Sequence, residues 1–156
     1  MSLYFAVKFV HIVGAAVLLG TGAGIAFFML MAHRTKDVAA IAHTATIVVV
    51  ADFIFTASAV VVQPLSGLAL AYLGGFALNE PWMLVSIGLY LFTGAFWLPV
   101  VFMQMRMRDL AREAVAKDEL LPAEYYRLFR TWFIFGFPAF FAVLGIFWMM
   151  IAKPFI

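Results

Sequence analysis

Cysteine is absent from this chain of 156 residues. That excludes a disulfide-stapled scaffold, iron–sulfur clusters, cysteine-ligated zinc and thiol catalysis. Charge is scarce too, with 12% charged residues against 67% hydrophobic ones. Soluble domains carry roughly 25% charge and about 45–50% apolar residues. A soluble domain of this length could not hide so much apolar surface, and disorder needs the opposite composition. There is no His-Glu-x-x-His, no Gly-x-Ser-x-Gly and no phosphate-binding loop, which removes the common hydrolase and nucleotide-binding signatures. What remains is long apolar runs and a mean hydropathy of +1.08, the composition of an integral membrane protein.

A membrane helix needs about 20 apolar residues. Four such runs are present, at about 3–32, 40–73, 82–108 and 124–152. They predict an all-α, four-helix transmembrane bundle occupying residues 1–156 as one domain. Gly74-Gly75 ends the second span, and Pro81 opens the third, where its missing N–H costs nothing. Leu121-Pro122-Ala123-Glu124 reads as a break before the last span. Arg34 and Lys36 lie in the first loop. Arg106, Arg108, Arg112, Lys117, Arg127 and Arg130 lie in or beside the third. The second loop has no basic residue. The positive-inside rule then puts loops one and three in the cytoplasm and both termini on the non-cytoplasmic side. The pI near 9.1 is read through the same rule, so nucleic acid is not an expected partner; membrane lipids and further copies of the chain are.

Reading the spans by depth, at about 1.5 Å per residue, brings His11, Gln63, Pro64, Ser66, Ser86, Tyr90 and Trp148 to one layer near the termini, with Lys8 above it. Ionisable residues inside a membrane are functional candidates by default, and imidazole suits heme iron or copper. His43 lies about 25 Å deeper than His11 by the same rise, so the two cannot share one iron. Asp52 falls at mid-membrane, where a carboxylate must be paired, protonated or hydrated. Its expected neighbours are the small-residue run Gly20-Thr21-Gly22-Ala23-Gly24 and the hydroxyls of Thr21 or Ser58. The Gly20/Gly24 pair is expected to let two helices approach closely. Met103 and Met107 share a helix face, which gives copper handling with His11 as a weaker reading.

Lys8-Phe9-Val10-His11-Ile12, Pro64, Trp82, the stretch Arg127–Arg130 and Lys153-Pro154-Phe155 carry a resemblance. Over its whole length the chain resembles a bacterial family of small predicted four-span membrane proteins of unknown function. More distantly it resembles the heme-binding protoporphyrinogen IX oxidases of the HemJ type. That second resemblance implies heme b with His11 as its iron ligand. It also implies Lys8 beside a propionate, Gln63 and Tyr90 near the iron, and a porphyrin-like or other hydrophobic small molecule as substrate. It further implies residence in the bacterial inner membrane. The chain departs from the oxidases at Ser86, where they have a lysine, and at Phe135-Gly136-Phe137, where they have Asn-Glu before the proline. The expectation is therefore a heme b-binding redox protein lacking that lysine. Its alternative is a non-enzymatic permease or structural module with Asp52 at its centre.

Because cysteine is absent, single-cysteine variants report orientation without background. Asn79→Cys should react with a membrane-impermeant maleimide added outside intact cells, and Glu119→Cys only after lysis. The reverse pattern would invert the topology.

Overall fold

The computed structural model describes residues 2–154. Met1 and Phe155, the last residue of the Lys-Pro-Phe motif, lie outside the described residues. Helix α1 spans Leu3–Thr35, α2 Val38–Ala51, α3 Ala57–Gly74, α4 Pro81–Lys117 and α5 Ala123–Ala152. A π-helical segment, Asp52–Thr56, joins α2 to α3, so residues 38–74 form one continuous rod. Four membrane-length apolar helices result, with no strand among the described residues.

The breaks follow from local chemistry. Asp37 caps α2, its carboxylate accepting the N–H groups of Ala39 and Ala40 at 2.8 and 3.1 Å. Gly75 ends α3 in the left-handed conformation, φ +70°, a position where a side chain is strained. The Phe76 N–H then returns to the Ala71 carbonyl at 2.9 Å, a Schellman ending. Pro81 is the first residue of α4. Glu113 and Lys117 pair at 2.6 Å along the exposed end of that helix. A two-pronged Arg106–Glu124 pair, 2.8 and 2.9 Å, ties α4 to the start of α5.

The bundle is packed at both ends. At the arginine-rich end, Met29, Ile41, Met107, Ala111, Tyr125 and Phe129 belong to one buried cluster. His33 of α1 lies flat on Phe129, with ring centres 3.7 Å apart and planes at 8°. At the end carrying the termini, Ala71, Trp82 and Met83 form a smaller cluster against Phe76 and Met149. The Lys153 ammonium sits 4.0 Å from the Phe76 ring centre and 5.3 Å from that of Trp82, a cation–π contact that pins the end of α5 to the α3–α4 turn. Helices α1 and α3 pair on one side and α4 and α5 on the other.

The close α1–α3 approach does not use the Gly20–Gly24 run, contrary to the sequence expectation. A Cβ added at Gly20 would meet nothing within 4 Å, and one at Gly24 only the Phe28 ring of its own helix. The tight point is Gly14, where a Cβ would lie 2.5 Å from the Gln63 amide nitrogen. That amide donates to the His11 carbonyl at 2.8 Å. Gly14→Ala should therefore lower stability by about 1–3 kcal/mol, as overpacking of a dense contact does. Gly20→Ala should leave it unchanged, and unfolding in mixed detergent micelles measures both. Equal effects of the two would move the helix contact elsewhere.

Candidate functional site

Between the two packed ends lies a cavity of about 780 Å³, within the range of small-molecule sites. Its walls come from α1, the π segment, α3, α4 and α5 and are mostly aliphatic and aromatic. Phe27, Leu91, Leu98 and Phe137 line it while being half or more exposed. On membrane-spanning helices such exposure faces lipid, so the cavity opens sideways into the bilayer.

A polar seam runs through this apolar wall. On one side are Gln63, Thr56 and Asp52. On the other, α4 presents Tyr90, Thr93, Trp97 and Gln104, spaced i, i+3, i+7 and i+14 and hence on one helix face. Trp132 of α5 joins them. Asp52 is 4% exposed, Thr56 6%, Gln104 4% and Trp132 4%. The Trp97 indole N–H donates to Asp52 Oδ1 at 3.4 Å, a long bond. Among the described residues Gln104 Oε1 and Trp132 Nε1 have no hydrogen-bond partner, and Asp52 Oδ2 and Thr56 Oγ1, one helical turn apart, have none on any other element. All four belong to residues of the cavity wall. Buried polar atoms are nearly always paired, so their convergence on one cavity marks it as a place where polar ligand atoms are accommodated.

Asp52 is thus interior, as expected, with a different partner. Trp97 replaces the expected Thr21 or Ser58. The Ser58 hydroxyl is exposed and donates to the carbonyls of its own helix, Ile54 at 2.6 Å and Phe55 at 3.0 Å.

Tyr90 is placed by a proline. Pro64 has no N–H to return to the Val60 carbonyl, and an unpaired carbonyl in hydrocarbon is costly. The Tyr90 hydroxyl donates to that carbonyl. It is the one side-chain hydrogen bond between α3 and α4 among the described residues.

The histidine layer is only partly assembled. His11 Nδ1 meets Ser66 Oγ at 2.8 Å, and Gln63 binds the His11 backbone. The Ser66 hydroxyl also lies 2.7 Å from the Val62 carbonyl and 3.2 Å from that of Gln63, and which partner donates between Ser66 and His11 follows the imidazole tautomer. His11 lies against Gly67 and is not among the cavity-lining residues, nor is Lys8. Lys8 is exposed, its ammonium 5.8 Å from the Tyr4 ring centre. Ser86 is buried and donates to the Trp82 carbonyl of its own helix at 2.7 Å. Trp148 is 65% exposed and leaves the layer. Met107 is part of the core at the arginine-rich end, remote from His11 in sequence depth.

Thr56, Trp97, Gln104 and Trp132 escaped the sequence reading. The common face of Tyr90, Thr93, Trp97 and Gln104 is the signal that could have found the α4 members.

Residues 5–154 match the model of the family described as "Predicted integral membrane protein (DUF2269)", and the chain belongs to that family. No curated protein and no solved structure matches it, so the likeness to heme-binding oxidases rests on the short motifs alone.

Tyr90→Phe leaves the Val60 carbonyl without its partner. The expected loss is about 1–3 kcal/mol of stability, read by unfolding in mixed micelles. An unchanged midpoint would remove Tyr90 as the tie between α3 and α4.

Proposed function

We propose that this family member is a small non-enzymatic permease whose cavity takes a hydrophobic small molecule from the bilayer, with Asp52 at its centre. One observation carries the reading: the buried polar atoms of Asp52, Thr56, Gln104 and Trp132 that find no partner on another element all belong to residues of a single apolar cavity. A merely structural bundle gains nothing from burying unpaired polar atoms, each costing roughly 1–3 kcal/mol. A site that receives a ligand does. The closed ends and the lipid-facing rim support entry from the membrane rather than from water.

The heme b reading keeps one supporting feature. Ser66 orients the His11 imidazole through Nδ1, the arrangement that prepares the other nitrogen for a metal. Among the described residues no histidine, methionine or lysine lines the cavity, and the Tyr90 hydroxyl there is engaged by the Val60 carbonyl, so the cavity itself does not fit a ligated heme. A heme on His11 would sit in the α1–α3 crevice instead, away from Tyr90 and Asp52. His11→Ala should leave the permease reading intact.

Gly22 lines the cavity, and a Cβ there meets nothing within 4 Å. Gly22→Trp therefore brings an indole to the cavity wall at a position where its Cβ has room. Purified protein in lipid nanodiscs should bind the neutral fluorophore Nile red saturably above protein-free discs, and Gly22→Trp should weaken that binding about tenfold or more. No saturable component in the wild type, or one untouched by Gly22→Trp, would overturn the proposal. A Soret band lost in His11→Ala would establish the heme reading in its place.

A further inference from the structure

We infer that the ligand of this cavity is a lipophilic amine in its protonated form, bound in exchange for a proton on Asp52. The inference rests on the permease reading and names its substrate class. Three features of the wall carry it.

The first is charge. Among the described residues Asp52 is the only acidic one lining the cavity, and no lysine, arginine or histidine lines it. From α1, α3, α4 and α5 the only other titratable side chain facing the cavity is Tyr90, whose hydroxyl is engaged by the Val60 carbonyl. The protein thus gives this carboxyl no counter-ion. A carboxylate at mid-membrane requires pairing or protonation, so only two states are cheap: Asp52 carrying its own proton, or Asp52 facing a cation that arrives with the ligand.

The second is hydrogen-bonding sense. Among the described residues Gln104 Oε1 is an acceptor without a donor and Asp52 Oδ2 meets no donor beyond the Thr56 hydroxyl of its own turn, whereas Trp132 Nε1 is a donor without an acceptor. The carboxyl and amide oxygens suit a ligand bearing N–H groups, which a protonated amine has and a carboxylate or phosphate lacks. An anionic ligand would meet the carboxyl with like charge and find no basic side chain.

The third is the aromatic and apolar lining. Trp97 stands next to Asp52 and Trp132 shares the wall. Indole faces are the best cation–π partners, while Leu18, Phe133 and Phe140 suit an apolar body.

The exchange balances. Protonated Asp52 plus an ammonium ligand gives an aspartate–ammonium pair and one released proton. No covalent bond forms, nothing is oxidised, and the cavity stays at zero net charge, because the released proton carries away the single positive charge that the ligand brings. Binding cation and proton in turn at one carboxyl couples their movements.

The test uses two probes of one shape, 1-pyrenemethylamine and neutral 1-pyrenemethanol, followed by energy transfer from tryptophan in nanodiscs at pH 7. The wild type should bind the amine about tenfold or more tightly than the alcohol, the advantage of a charge-assisted pair. Asp52→Asn should erase that preference by weakening amine binding to the level of the alcohol. In weakly buffered solution, amine binding should release close to one proton per bound amine, and alcohol binding none. Equal affinities in the wild type, or a preference surviving in Asp52→Asn, would overturn the amine assignment while the cavity reading stands. Saturable binding of neither probe would overturn both. The wild-type comparison decides the matter even where the Asp52→Asn protein fails to fold.

Discussion

Polar atoms placed in hydrocarbon must find partners inside the protein, because lipid offers none. The fold is organised around that constraint. Pro64 breaks the backbone pairing of α3, and Tyr90 of α4 meets the freed carbonyl. His11, Gln63 and Ser66 satisfy one another between α1 and α3. Gly14 has no side chain so that the Gln63 amide can arrive. Against this thorough pairing, Asp52, Thr56, Gln104 and Trp132 stand apart, each with a buried polar atom that meets no partner on another element. The constraint that shapes the rest of the bundle is suspended at one cavity.

The two ends of the molecule make that suspension tolerable. The stack of His33 on Phe129 and the Arg106–Glu124 pair hold the arginine-rich end. The Lys153 ammonium over Phe76 and Trp82 holds the other. Between them α1 with the 38–74 rod and α4 with α5 form two hairpin-like halves, joined by the packing of α2 on α4 and by the Tyr90 and Trp97 hydrogen bonds. A cavity between rigid halves can persist without collapsing. The π turn lies at the same level and carries Asp52 and Thr56 inward while Phe53, Ile54 and Phe55 face outward. Such turns recur at functional sites.

Much of the fold was legible in the sequence because lipid imposes simple rules. Apolar run length gave the four helices, and Gly75, Pro81 and Pro122 marked their ends. The interior position of Asp52 followed from the cost of exposing it. Its partner did not, because Trp97 lies 45 residues away and pairing across helices depends on packing that no local pattern encodes. The Gly20–Gly24 run misled for the same reason: a small-residue motif states that a helix can approach closely, not which helix comes. The π turn has no sequence signature here. His11 was read as the centre of a site; in the fold its Nδ1 meets Ser66 Oγ between α1 and α3, a contact no local pattern announces. Gln104 and Trp132 look like ordinary members of long apolar helices until both are seen in one wall.

The most direct measurement asks whether Asp52 is a protonated carboxyl facing an accessible intramembrane cavity. Dicyclohexylcarbodiimide, a hydrophobic reagent that attacks protonated carboxyls, would be added to the purified protein in nanodiscs and the adduct mapped by mass spectrometry. The account predicts one adduct, on Asp52, suppressed in Gly22→Trp and by prior addition of 1-pyrenemethylamine. An unmodified Asp52, or modification indifferent to both, would contradict it.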